Sequence, residues 1–292
     1  MRRVRLGRTG LEASIAGLGC GGPSRLGQGR GANRAEAVAL VRSALDLGVT
    51  LIDTSPAYGN EDIVGEALSG CREGVIIATK AALTMPGKNE PVTPVQLAIA
   101  LEESLSKLRV DTVDLFLLHG VSSARYPYCH SVLLPELQRL RRDGKVRFYG
   151  LSEGFEGDPE HHMLRKALQD DCWDCIMVAV SMAYPSALQT VLPPAKSRDV
   201  GTLIMRAARD VLIRRDFDGA RAALMFDSDC SAERIKQTLA DACYRYCAHL
   251  DGAHVVLTGP GSIQHLQANA RSIAGSRLEP HIEAALLAWL EN

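Results

Sequence analysis

Four side chains that can hold or move a proton stand at, or just beyond, the ends of three successive aliphatic runs. Asp53 ends the run 49–53, and Tyr58 follows shortly after it. Lys80 follows the run 75–79, and His119 ends the run 113–119. A free phenol has a pKa of about 10 and is a poor acid or base at neutral pH. A neighbouring ammonium favours the phenolate, so Lys80 is expected to lower the pKa of Tyr58, with Asp53 keeping Lys80 charged and oriented. His119 can donate to a substrate oxygen or relay a proton. Together the four suit protonation of a carbonyl oxygen while a hydride reaches its carbon.

Such a set works only if the chain brings those run ends together. Eight runs read as strands: 16–19, 49–53, 75–79, 113–119, 146–151, 175–180, 201–205 and 254–257. They are continuously apolar rather than alternating, as strands covered on both faces of a parallel sheet must be. Helical spacing fills the intervals. Val38, Val41 and Leu45 share a face closed by Gly48. Thr93, Pro94 and Gln96 form an N-cap, first-turn proline and capping-box glutamine ahead of Leu97, Leu101, Leu105 and Leu108. Leu133, Leu137 and Leu140 mark another helix, and Ile235, Leu239, Ala242 and Tyr246 a later one. This alternation predicts an α/β fold, either a (β/α)8 TIM barrel or a doubly wound sheet. In a barrel the active site lies at the C-terminal strand ends, where the four groups stand. Residues 4–15 read as an N-terminal β-hairpin turning at 8–10. Without a linker or repeat, residues 1–292 are expected to form one barrel domain.

The 292 residues carry 33 basic and 34 acidic side chains, a formal charge of -1. Nucleic-acid or membrane-surface binding has no electrostatic footing there; Arg139, Arg141 and Arg142 read as a solvated helix face. No apolar run reaches the ~18 residues of a membrane span, and the basic residues 1–10 lead into no signal-like apolar stretch. The 8 cysteines are scattered through an aliphatic-rich chain, which points to a cytoplasmic protein with reduced thiols. Cys172 and Cys175 have C-x-x-C spacing but no second pair, and read as packing residues. His161 and His162 sit at a polar helix start without ligand spacing, so no metal site is expected. A P-loop is absent, and Gly19, Gly21 and Gly22 do not make a dinucleotide fingerprint of the Rossmann kind. Oligomeric state is not encoded in any motif.

The stretch Asp53-Thr54-Ser55-Pro56-Ala57-Tyr58-Gly59, with Glu61 and Gly65, resembles the aldo-keto reductase signature. Ala78-Thr79-Lys80, residues 114–119, and the opening Leu6-Gly7-Arg8-Thr9-Gly10-Leu11 with Leu18-Gly19 are similar to that family in the same order. The resemblance implies a barrel that binds NADP(H), or less often NAD(H), across the strand ends, and reduces an aldehyde or ketone or oxidises the matching alcohol. It makes Tyr58 the proton donor, with Asp53, Lys80 and His119 completing a tetrad. It lays the cofactor along Gly21, Gly22, Ser152, Glu153, Ser181, Arg206, Gly259, Gly261, His265 and Asn269, with NADP(H) ahead of NAD(H). Several positions depart from the family pattern. Glu153 stands where asparagine is usual and Ser181 where glutamine is. Residues 207–212 lack the usual proline-leucine. Gly259 and His265 stand where NADP-preferring members carry lysine and arginine. Glu153 is expected beside the nicotinamide carboxamide with Arg206 facing it, and residues 121–130, with Tyr126 and Tyr128, on the pocket rim. The intact tetrad favours turnover. The altered carboxamide contacts favour two competitors: a nucleotide-binding protein with a regulatory role, or a barrel using its cofactor for non-redox sugar chemistry.

Overall fold

The eight runs form strands, and the sheet they make closes on itself. The structure, a computed structural model, describes residues 1–85, 87, 90–214 and 216–291. β1 (Arg3–Arg5) and β2 (Glu12–Ser14) pair antiparallel, Val4 opposite Ala13. The barrel strands are β3 (Ala16–Gly19), β4 (Leu51–Asp53), β5 (Ile76–Ala81), β6 (Val113–Val121), β7 (Val146–Glu153), β8 (Cys175–Ala179), β9 (Gly201–Met205) and β10 (Val255–Thr258). Each lies parallel to its neighbours, and β10 returns to pair with β3, Val256 opposite Ala16. That closure separates a barrel from the doubly wound alternative.

Alternate residues divide two cores. Leu51, Ile76, Ala78, Leu115, Leu117, Met177, Leu203 and Leu257 fill the barrel interior. Their outward neighbours, such as Ile52, Ile77, Phe116, Ile176 and Val256, pack under the surrounding helices. Gly17 serves the inner layer: a Cβ there would lie 2.7 Å from a Leu257 methyl and 2.9 Å from one of Val255. Leu6, Leu11 and Ala13 of the hairpin join the interior cluster. Leu6 lies against Gly201, the first residue of β9, so the hairpin plugs the N-terminal end and leaves the C-terminal end for the site.

The helices begin where their caps say. Thr93 accepts from the Gln96 amide while the Gln96 side chain accepts from the Thr93 amide, opening the helix Pro94–Leu108. Leu97, Leu101, Leu105 and Leu108 are all buried along it, each contributing about 1.5–3 kcal/mol of hydrophobic stabilisation. Asn33 and Glu36 make the same reciprocal cap for Arg34–Asp46.

Residues 121–130 do not supply the expected aromatic rim. The buried Tyr126 donates its hydroxyl to Asp170 Oδ2 (2.8 Å) and accepts from Trp173 Nε1 (3.1 Å), while Tyr128 donates to the Val92 carbonyl (3.0 Å). Aromatic bulk buried with a satisfied hydroxyl favours this packing between outer elements. Cys175 is buried in the barrel interior and Cys172 is half-buried just ahead of β8. Among the described residues no helix is long and apolar enough to cross a membrane, and no group of three or more His, Cys, Asp and Glu is placed to hold a metal ion.

Candidate active site

The interior layer continues upward in the same pleat phase. Two residues beyond Leu51 comes Asp53, two beyond Ala78 comes Lys80, and two beyond Leu117 comes His119. Side chains two apart on a strand share a face, so three polar groups occupy the layer above the apolar plug. Pairing of Asp53 with Ala78, and of Lys80 with Leu117, staggers them around the mouth. Lys80 is 1% exposed and Asp53 4%, and Lys80 Nζ lies 2.5 Å from Asp53 Oδ1. The same ammonium donates to the Thr54 carbonyl at 3.1 Å and to Tyr58 Oη at 3.1 Å.

Tyr58 reaches Lys80 through a turn built for the purpose. The Ser55 side chain accepts from the Ala57 amide, Pro56 opens the short 3-10 turn Pro56–Tyr58, and Gly59 closes it at φ 70°. Proline presets the first turn, and a left-handed closing residue favours glycine. The turn folds the phenol back so that Lys80 Nζ is 4.8 Å from its ring centroid, and His119 stands edge-on at 5.7 Å. Gly21 backs the ring: a Cβ there would lie 2.5 Å from Tyr58 Cζ.

A cavity of about 670 Å³ runs from these groups across the strand ends. Asp53, Tyr58 and His119 line it with Gly21, Gly22, Ser152, Glu153, Arg206 and Gly259. A second cavity, of about 750 Å³, is lined by Gly261 together with Gly27, Arg30, Ser262 and Gln264. The remaining expected cofactor residues line neither. Ser181 Oγ is buried and has no hydrogen-bond partner among the described residues. His265 is exposed on the first turn of the helix Ile263–Ala274. Asn269 donates to Thr258 Oγ1 (2.7 Å), fixing the end of β10.

A model of the aldo/keto reductase family matches residues 18–209, a span that includes all four groups. The chain belongs to the aldo/keto reductase family. Similar solved structures include the holo form of aldo-keto reductase AKR11C1 from Bacillus halodurans, at 22% identity and TM-score 0.78 over 99% of this chain and 96% of that one. A candidate aldo-keto reductase from Pseudomonas aeruginosa is similar at 26% identity and TM-score 0.71, over 93% and 94%. An aldo-keto reductase from Klebsiella pneumoniae, solved in complex with NADPH, is similar at 24% identity and TM-score 0.72, over 98% and 93%.

In this aldo-keto reductase, an oxidoreductase, the tetrad's electrostatics differ in one respect from the sequence expectation. Burial raises the Tyr58 pKa, Asp53 adds to that, and Lys80 pulls the other way without prevailing. At 2.5 Å the carboxylate offsets most of the ammonium's field, so the phenol faces an ion pair and not a bare cation. Burial also lowers the Lys80 pKa, but Asp53 and Tyr58 outweigh it and the net direction is up. Burial raises Asp53, with Lys80 opposing. The His119 imidazole is pushed down to about 4 by burial and then by Lys80. At neutral pH the reductase therefore holds a protonated phenol, a charged ammonium and a neutral imidazole.

On the cavity wall, two side chains have partners that the sequence reading did not contain. Glu153 and Arg206 both line the cavity, but each charge is already committed. Glu153 Oε1 accepts from the Ala179 amide (2.7 Å) and Oε2 lies 2.8 Å from His161 Nδ1. His161, read from sequence as a polar helix-start residue, is wholly buried as that partner. Burial raises the Glu153 pKa, the His161 contact opposing. Arg206 pairs with Asp210 (2.5 Å) and Glu156 (3.2 Å) and lies 5.0 Å over the Phe155 ring. One positioning residue escaped the sequence reading: Asn60 Nδ2 donates to the Cys20 carbonyl (2.7 Å) while its Oδ1 accepts from Thr54 (2.9 Å). Its only sequence signal is adjacency to the tyrosine turn. Glu61, part of the signature stretch, accepts from Thr79 (2.7 Å).

Proposed function

We propose that this chain is an NADP(H)-dependent reductase of small aldehydes or ketones, or the oxidant of the matching alcohols, with Tyr58 as proton donor. One observation carries the reading: a buried Lys80 bridges Asp53 and Tyr58 beside His119, at the floor of a glycine-lined cavity. The residues present fit a nicotinamide dinucleotide. Gly21, Gly22 and Gly259 let the backbone approach a ligand closely. Ser152 stands on the cavity wall, and two residues beyond the end of β8 the buried Ser181 hydroxyl has no hydrogen-bond partner among the described residues. Arg30 puts a guanidinium on the second cavity beside Gly261. It stands in for the basic partners missing at Gly259 and His265, and supports NADP(H) over NAD(H). When bound, the reduced nicotinamide supplies a hydride.

The chain's own residues handle the proton. Tyr58 donates its phenolic proton to the substrate oxygen as negative charge develops there. Lys80 stabilises the resulting phenolate, and Asp53 keeps Lys80 ionised and aimed. Neutral His119 donates a hydrogen bond to the same oxygen, a preorganised donor at the site of developing charge. In the reverse direction the phenolate takes the proton from the alcohol. Residues 1–292 would act as one domain, in the cytoplasm.

The test is turnover of NADPH and NADH with a panel of small aldehydes and ketones, alongside fluorescence titration of both cofactors. Tyr58→Phe removes only a hydroxyl and should lower turnover by ~10²-fold or more while cofactor binding persists. Near-normal turnover in that variant would remove Tyr58 from its role. Cofactor binding without turnover on any carbonyl would favour a regulatory nucleotide-binding role, and no binding at all would sink the oxidoreductase reading.

A further inference from the structure

Ser55 takes no part in the proton transfer just described, yet it is 1% exposed and touches the imidazole. Its Oγ lies 3.3 Å from His119 Nδ1 and accepts from the Ala57 amide at 3.3 Å. A neutral imidazole carries its proton on one nitrogen only, and the partner of the other nitrogen decides which. We propose that Ser55 is a positioning residue that sets the tautomer of His119: its hydroxyl donates to Nδ1, so the proton resides on Nε2 and the ring presents a donor to the substrate oxygen. This rests on the reading that the substrate oxygen is held between Tyr58 and His119.

The count of donors decides between the tautomers. Ser55 Oγ already receives the Ala57 N–H, as the cap of the Pro56–Tyr58 turn requires. One hydroxyl proton remains, and Nδ1 is the acceptor within reach. In the opposite tautomer Oγ would receive two donors, and its own proton would have no acceptor among the described residues. A buried polar group left unmatched biases an equilibrium by about five- to a hundredfold. The consequence for catalysis is directional. An Nε2–H donor stabilises negative charge on the substrate oxygen, whereas a bare Nε2 lone pair would repel it. The same turn that lifts Tyr58 over Lys80 thus also orients the second hydrogen-bond donor.

The experiment is ¹⁵N NMR of the imidazole nitrogens in the cofactor-free protein at neutral pH, with the His119 signals assigned by their loss in His119→Gln. The expected pattern is a protonated, pyrrole-type Nε2 and an unprotonated, pyridine-type Nδ1. Ser55→Ala should shift that pattern toward a mixture and lower kcat/KM for carbonyl reduction about tenfold, with the cofactor dissociation constant unchanged. Ser55→Thr keeps both the cap and the donated proton and should retain the wild-type pattern. A wild-type spectrum with the proton on Nδ1, or a Ser55→Ala spectrum identical to wild type, overturns the proposal. Should Ser55→Ala fail to fold, the wild-type and Ser55→Thr spectra decide it on the same criterion. Because the spectra are read without turnover, an inactive protein with the expected tautomer would refute the proposed function and leave this assignment standing.

Discussion

Replacing Lys80 with methionine keeps the length of the buried stem and removes its charge. The perturbation is large because the site is dry: the Lys80 and Asp53 side chains are 0% and 5% exposed and 2.5 Å apart. Asp53 would be left buried with no cation, and it would take up a proton instead. Its pKa in the unfolded chain is about 3.9, so holding it protonated at pH 7 costs about 1.36 × 3.1, or ~4 kcal/mol. That agrees with the ~3–5 kcal/mol typical of breaking a buried pair. At pH 5 the same cost is ~1.5 kcal/mol. The folded pKa of Asp53 in the variant lies above the unfolded value, so this contribution to stability is present below about pH 4 and is lost as pH rises toward the folded pKa. Urea unfolding of wild type and variant across pH 5 to 8 should therefore give a destabilisation that grows with pH. Asp53→Asn added to Lys80→Met should flatten the dependence. A destabilisation independent of pH, or below ~1 kcal/mol at pH 7, would refute the reasoning that the two form a buried ion pair. The same variant tests the phenol. Lys80 lowers the Tyr58 pKa, but the Asp53 charge that raises it is neutralised in the same variant, so the alkaline limb of alcohol oxidation should move only slightly.

Gly21→Ala would set a methyl 2.5 Å from Tyr58 Cζ; turnover should fall at least ~10-fold as the ring moves off Lys80. Glu153→Gln removes a buried negative charge from the cavity wall. The dissociation constant of oxidised cofactor, divided by that of reduced cofactor, should rise roughly threefold or more at fixed salt, and an unchanged ratio would place Glu153 out of electrostatic reach of the ring. Arg30→Ala should weaken NADPH about tenfold and leave NADH unaffected, because only a 2′-phosphate offers the guanidinium a charge-assisted bond; equal weakening of both would remove Arg30 from cofactor selection.

Much of this was legible in the order of residues. Leu51 before Asp53, Ala78 before Lys80 and Leu117 before His119 already carry the two-residue period that aims each group into a barrel, and Thr93 with Gln96 marks a helix start to the residue. These are local patterns, governed by backbone geometry within a few positions. The expected cofactor residues were legible only as types. Asn269 and Ser181 were named on resemblance, and neither lines a cavity, since a side chain's direction depends on what packs behind it. Tyr126 was placed on a rim by its aromatic character, and Trp173 and Asp170 drew it inward. The sequence by itself determined eight strands, their phase, and four proton-bearing groups at their ends. The tertiary structure alone decided that the sheet closes, that burial, with the Asp53 charge beside Lys80, leaves the Tyr58 phenol high, and that Glu153 is matched by His161. Each of these depends on separations between atoms on different elements. Electrostatic energy varies with those separations and with burial, and neither is written in a local pattern of residue types.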